Sequence, residues 1–290
     1  MPELPEVQTI VSDLNRKVRG QKIVSFWTDW PKLIKTPTLE TFKRKIKGLR
    51  IEKVERIGKN VVFLLSDNKA LLIHQKMTGH LMVGEWSVRN GKAKAITRGS
   101  FEERVNQYIH ALFYLQERKT IALSDMRKFA RIAFGEKEEI LKLKDITALG
   151  PDALDSKLTF KEFSRRIRAR KKSIKLTLMD QSVIAGIGNI YADDILWGAR
   201  VHPLRKANTI KEKELRAIFE CTKKILHLAI RLRGASVGDY RDTSGEKCMY
   251  GKVILAYRRT GKPCKRCKTP MRRTKAGQRS AHFCPRCQRL

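Results

Sequence analysis

The 290-residue chain has 63 Lys and Arg against 29 Asp and Glu, a formal net charge of +34, and 41% hydrophobic residues. That apolar content is enough for two cores of ordinary size, and no run reaches the roughly 18 apolar residues of a membrane span or shows a signal-peptide pattern, so an intracellular, non-membrane protein is expected. A positive excess this large opposes compaction by self-repulsion and points to a polyanionic partner, nucleic acid before an acidic membrane surface or an adaptation to salt or heat.

At the amino terminus, "MPELPEVQTI" precedes apolar positions Leu4, Val7, Ile10, Val11, Leu14 and Val18 at three- and four-residue steps, with Gly20 as a stop, which predicts a helix over 3–19. Pro5 suits a first turn that has no use for its missing N–H, and Glu3 and Glu6 sit where the helix dipole favours negative charge. Short β-type runs follow at "KIVSFW", "RIEKVERI", "NVVFLLS", "ALLIHQ", "HLMVGEW", "YIHALFYL" and "TIALSD", with a helix at "LETFKRKIKG", the pattern of a sandwich or barrel. Residues 87–107 show neither period and are expected to form an insertion loop. Beyond about 135 the period becomes helical. Capping boxes are expected at Thr159 with Glu162 and at Thr209 with Glu212, and between them "SIKLTLMDQSVIAGIGNIYADDILWGARVHP" reads as helix, glycine-broken turn, helix. The expected domains are 1–135, β-rich; 136–246, helical; and 247–290.

After Glu246 there is no acidic residue, while fourteen Lys and Arg follow, so this end is expected to meet phosphates. It also holds "CKRC" and "CPRC", whose Cys264, Cys267, Cys284 and Cys287 have the two-knuckle spacing of one structural zinc ion. Two disulfides are the alternative and fit an intracellular chain poorly. Four thiolates complete the tetrahedron and leave no open catalytic position. Gly186 and Gly188 in "AGIGN" would let a backbone approach a phosphate at a helix start, although two glycines in a turn are more often a plain helix connection.

In chain order, "MPELPEV", Gly58-Lys59, "MTG" at Met77, "DMRKF", "LGPDAL", "GIGNIYADDIL" and "QRSAHFCPRCQ" resemble the formamidopyrimidine-DNA glycosylases from end to end. The resemblance implies an α+β fold: an N-terminal β-sandwich with its N-terminal helix, then a helix–two-turn–helix domain ending in a zinc finger. It implies a bifunctional DNA glycosylase and AP lyase acting as a monomer in the bacterial cytoplasm, at the nucleoid, on double-stranded DNA containing oxidised purines or abasic sites. Pro2, freed by loss of Met1, becomes the nucleophile, Glu3 the proton shuttle, Lys59 a phosphate and β-elimination residue, and Arg279 the zinc-finger cation at the lesion phosphates. Met77, Arg127 and Phe129 fill the space left by the flipped base; Tyr108, Arg170, Lys175 and Asn189 become DNA contacts. Taken singly, Glu3 could serve only the helix dipole, Lys59 a turn, and Arg279 general basicity. An α-amine titrates near 8 and a lysine near 10.4, so at neutral pH the nucleophilic fraction is on the order of a few hundred-fold larger at the terminus.

Departures from the family pattern are Tyr108 before His110 where His-x-His is usual, Met126 and Lys128 within "DMRKF", the 87–107 insertion and the charge. They bear on lesion preference. Two rival readings remain, an endonuclease VIII-like glycosylase for oxidised pyrimidines and a non-catalytic, zinc-stabilised DNA-binding protein.

Overall fold

The computed structural model describes residues 1–97 and 99–290 and resolves into two compact units. The first comprises Met1–Thr147 with Leu232–Gly251. Helix α1 (Leu4–Val18) is followed by β1 (Ile23–Thr28), β2 (Ile34–Thr36), α2 (Leu39–Ile46), β3 (Ile51–Ile57), β4 (Asn60–Leu65), β5 (Lys69–His74) and β6 (His80–Gly84). Then come β7 (Trp86–Arg89), β8 (Lys92–Ala95), β9 (Ile109–Leu115), β10 (Thr120–Ser124), β11 (Arg131–Glu136) and the short helices α3 (Lys137–Leu141) and α4 (Lys144–Thr147).

Two sheets form the sandwich, one ordered β1-β9-β10-β6 and the other β2-β11-β5-β4-β3. Strands β2 and β11 lie outside the runs expected from sequence; they pair in parallel with each other, and β11 pairs antiparallel with β5. The core joins the apolar face of α1 (Val7, Ile10, Leu14) to Phe26, Phe42, Phe113 and Phe134, with Phe26 and Phe42 ring centroids 4.8 Å apart. Asn15 of α1 donates to Val54 O at 2.7 Å and accepts from Val54 N at 2.9 Å, so its amide covers the outer edge of β3 as a further strand would. The 87–107 segment corrects the expectation of a loop: β7 and β8 form a hairpin through Asn90-Gly91, and short 3-10 turns occupy Ser100–Glu102 and Arg104–Asn106. Its alternation is only four residues long on each side, too short to register as a period.

Leu232–Gly251 belongs to this unit although it follows a helix of the other one. Polar anchors account for the return. Ala235 N donates to Glu6 Oε1 at 2.8 Å, Tyr240 OH donates to Glu6 O at 3.1 Å, and Thr243 Oγ1 donates to Asp13 Oδ2 at 2.8 Å. Arg233 bridges the buried carboxylates Asp13 and Asp242.

The second unit, Ala148–Arg231 with Lys252–Leu290, contains α5 (Phe160–Arg168), α6 (Ile174–Leu178), α7 (Asn189–Ala199), α8 (Glu212–Arg231) and the hairpin β12 (Arg272–Ala276) to β13 (Arg279–Phe283). Thr159 caps α5, accepting from Glu162 N at 3.2 Å. Thr209 does not cap α8: its hydroxyl donates back to Lys206 O inside a 3-10 turn, and Glu214 accepts from Lys211 N instead. No helix among the described residues is long and apolar enough to cross a membrane.

Gly234 sits at φ +96°, and a Cβ there would lie 2.7 Å from Glu6 Oε1. Gly234→Ala should destabilise the protein by about 1–3 kcal/mol through backbone strain alone, read as a lower chemical-denaturation midpoint; an unchanged midpoint would contradict the tight seating of this turn on Glu6.

Candidate active site and nucleic-acid interface

The first ten residues are held, not frayed. Pro2 and Glu3 are buried, Glu3 N donates to Glu6 Oε2 at 2.8 Å, and Val7 N to Glu3 O at 3.0 Å opens the helix. The chain's terminal ammonium, on Met1, is held below its ordinary value of about 8, first by burial and then by Lys59, against the upward pull of Glu3, Glu6 and Asp239. Lys59, on the turn between β3 and β4 after Gly58 (φ +59°), is itself buried. One amine, three carboxylates and a lysine therefore converge at the start of α1. Such a group can ease the deprotonation of an amine, move a proton and steady a leaving anion. Asp239 and Glu6 belong to this cluster although sequence gave Asp239 no role; only the return of Leu232–Gly251 brings it there.

In the same unit the structure brings Met77, Arg127 and Phe129 together and exposes them. The Arg127 guanidinium lies 3.3 Å from Met77 Sδ and 4.5 Å from the Phe129 ring centre, while Met77 is 39% and Phe129 45% exposed. Exposed apolar side chains fixed in one place are what a wedge into a base stack requires. Asp125, fully buried, does the fixing: its carboxylate accepts from Phe129 N at 2.7 Å, Ala130 N at 2.8 Å, Arg127 N at 3.3 Å and the Thr78 hydroxyl. The Met77 turn is equally tight, since a Cβ on Gly79 would meet Gln75 O, and Lys76 N donates to His74 Nδ1 at 3.0 Å. Tyr108 is half-buried, its hydroxyl 3.3 Å from Arg104 Nε, beside His110, which pairs with Asp29 at 2.8 Å; both line a cavity of about 500 Å³ walled by the β7–β8 hairpin.

In the second unit, Gln181 folds the glycine turn. Its amide donates to Met179 O and Ile187 O, each at 2.8 Å, and accepts from Gly186 N at 3.0 Å, with Gly186 at φ +104°. Asn189 begins α7, and its Oδ1 is buried with no hydrogen-bond partner among the described residues. Arg170 is exposed just beyond α5.

Lys175, which the resemblance implies as a DNA contact, is turned inward. It is fully buried, paired with Asp193 Oδ1 at 2.6 Å and donating to Ser280 O, while Asp193 Oδ2 also accepts from His282 N at 3.0 Å. The ammonium thus holds strand β13, whose first residue, Arg279, is exposed. Sequence alone does not distinguish such an inward lysine from the many outward ones.

The Sγ atoms of Cys264, Cys267, Cys284 and Cys287 lie within 4.8 Å of one another. Trp197 Nε1 and Cys287 N point hydrogens at Cys264 Sγ and Cys284 Sγ at 3.3 and 3.4 Å, bonds that favour thiolate. The donor set fits a tetrahedral soft-metal site. Of the remaining cysteines, burial pushes Cys248 up to about 12 and raises Cys221, leaving both as inert thiols.

The β-sandwich with its buried helix start, the helical unit and the four-cysteine hairpin are together the architecture of a DNA glycosylase. Family models agree along the chain: the formamidopyrimidine-DNA glycosylase N-terminal domain over residues 1–132, its H2TH domain over 149–241, and the zinc finger found in FPG and IleRS over 261–290. A formamidopyrimidine-DNA glycosylase of Herpetosiphon aurantiacus is 35% identical over 99% of this chain and 100% of its own. The Lactococcus lactis Fpg in complex with abasic-site DNA superposes with a TM-score of 0.87 at 28% identity, over 99% of this chain and 100% of that one. The same enzyme with a Fapy-dG-containing DNA gives 0.86 at 27% identity, over 99% and 100%. The chain belongs to the formamidopyrimidine-DNA glycosylase family, and its zinc finger and four-cysteine cluster make it a zinc-binding DNA-repair enzyme.

Burial, reinforced by Lys76, Lys59 and Arg131, holds His74 down to about 3, against 6.5 in the unfolded chain. Its neutral Nδ1 is what accepts from Lys76. Stability from this group is therefore complete above about pH 6.5 and is lost as pH falls toward about 3. The difference in denaturation midpoint between the wild type and His74→Gln should change on acidification through that window, the wild type falling faster; parallel curves would remove the assignment.

Proposed function

We propose that the chain excises oxidised purines, 8-oxoguanine and ring-opened formamidopyrimidines, from duplex DNA and cleaves the strand at the resulting site. The reading rests above all on the convergence of Glu3, Glu6, Lys59 and Asp239 on the terminal amine. With Met1 removed, that amine is the secondary amine of Pro2. Its lone pair attacks C1′ of the flipped nucleoside; the C1′–N bond breaks and the base leaves with its electrons and a proton. Glu3 protonates the ring oxygen as the sugar opens, giving an iminium ion. The iminium draws electrons from C2′, so loss of a C2′ proton expels the 3′ phosphate, and a second elimination expels the 5′ phosphate. Water then hydrolyses the iminium and frees the amine. Lys59 and Arg279 steady the departing phosphates. Met77 and Phe129 occupy the emptied stack, and the Arg127 guanidinium faces the orphaned base.

Tyr108, Arg170 and Asn189 contact the DNA backbone in this reading, whereas Lys175 acts through β13 on the placement of Arg279. One zinc ion held by Cys264, Cys267, Cys284 and Cys287 supplies structure only. The enzyme works as a monomer in the bacterial cytoplasm, on the nucleoid.

Borohydride trapping on duplexes carrying 8-oxoguanine should give a covalent adduct that maps to Pro2, and Pro2→Gly should retain DNA binding while losing the adduct. Trapping confined to an oxidised pyrimidine would move the chain to endonuclease VIII-like specificity, and normal trapping by the variant would remove Pro2 from the mechanism. Chelation of zinc should lower DNA affinity at least tenfold with the trapping chemistry of the bound fraction intact; full affinity in metal-free protein would show the finger to be dispensable.

A further inference from the structure

The 99–107 part of the insertion has its own polar partners, and Ser100, Glu103 and Asn106 find theirs on the returning segment and on strand β6. Arg241, only 5% exposed, donates from Nε to Glu103 Oε2 at 2.7 Å while its NH1 donates to Gly238 O and Tyr240 O at 3.2 and 2.9 Å. Glu103 thus neutralises a buried guanidinium that folds the turn 238–240. Asn106, 1% exposed, donates from Nδ2 to Ser100 O at 2.6 Å and to Gly245 O at 3.0 Å. Its Oδ1 must then accept, which fixes His80, 2.8 Å away, as the Nε2–H tautomer. Ser100 bonds Glu246, and Gly245 (φ +78°) has no room for a Cβ, which would lie 2.9 Å from Asn106 Nδ2 and 3.0 Å from the Phe101 ring. Strand β6 completes the seat, Val83 N donating to Thr243 O at 2.8 Å.

The other end of this segment borders the amine, through Ala235 and Tyr240 on Glu6 and through the charge of Asp239. A base hangs on the very carbon that the amine attacks, so whatever flanks the amine also borders the base. An abasic sugar presents no base to that wall.

We propose that Glu103 and Asn106 are positioning residues for base excision, which strap the 238–246 segment so that it forms a fixed wall for the base to be removed. The proposal rests on the glycosylase reading above. They touch neither DNA nor the amine; they act through Arg241 and Gly245. Losing the Glu103 charge leaves the Arg241 guanidinium buried without a counter-ion, and the 238–240 turn that it holds should loosen.

The test compares Glu103→Gln, Glu103→Asp and the charge-reversed pair Glu103→Arg with Arg241→Glu, each as the full zinc-loaded chain. Single-turnover excision of 8-oxoguanine should fall about tenfold in Glu103→Gln, with strand cleavage at a pre-formed abasic site within twofold of wild type. Glu103→Asp and the reversed pair should recover most of the loss. Amide hydrogen exchange of the free protein should speed up over 238–246 in Glu103→Gln and not over α1. Equal losses on both substrates, or unchanged exchange, would overturn the strap, as would faster exchange with undiminished excision. A wild type inactive on every modified base would instead overturn the glycosylase reading, and the exchange comparison would still show whether Glu103 holds the segment.

Discussion

The Glu6 carboxylate is the interaction on which the site depends. Buried at 1% exposure, it accepts Glu3 N with one oxygen and Ala235 N with the other. Bonds of this type, to a charged acceptor, contribute about 1.5–3 kcal/mol each, and removing either donor would leave a desolvated charge short of partners. The same group therefore finishes the first turn of α1 and clasps a segment more than two hundred residues away in the chain. Termini ordinarily fray; here the terminus is closed at both ends of one carboxylate, so an amine two or three atoms from Glu3 has a fixed address. Gly234 follows from this, because only a residue without Cβ lets the backbone come so close to Glu6.

The same cluster sets the chemistry by opposition. Three carboxylates would keep a terminal amine protonated; burial and Lys59 pull the other way and win. In the reaction proposed above, Glu3 carries the proton beside this amine. A lysine at the same place would start more than two units higher, and much deeper burial would be needed to bring it to the same state.

The fold was legible where a local signal carried it. The period of α1 shows in the sequence, as does the two-knuckle spacing of the cysteines, and the structure gives α1 as Leu4–Val18 and the four thiols as one cluster. What was not legible depends on distant chain. Strand β2 has three residues and needs β11 beside it to exist. The β7–β8 hairpin shows only short alternation, and the turns 99–107 owe their shape to Arg241, Gly245 and Glu246. Resemblance named the Met77, Arg127 and Phe129 set, but not Asp125, whose buried carboxylate aims two of the three; an aspartate before a turn looks like any other. The burial of Lys175, implied by resemblance as a DNA contact, was not legible for the same reason: the charge of a side chain is written in the sequence, and its direction is decided by a partner, Asp193, eighteen residues on.

That last point also bears on where the charge of 63 basic and 29 acidic residues ends up. Many of the acids are turned inward. Asp13, Asp125, Asp193, Asp194 and Asp242 are each at most 5% exposed, and they face backbone amides or the basic groups Lys175, Arg233 and His282. Inside, buried acids outnumber buried bases, and each of these five carboxylates is met by backbone amides, hydroxyls or a basic group, as burial demands. Outside, the balance is left more positive than the composition alone suggests. Such a surface attracts any phosphate backbone and says nothing about which base is damaged. On the proposed reading, discrimination therefore comes from local geometry near the amine: the Met77, Arg127 and Phe129 group, the clasped terminus and the returning segment.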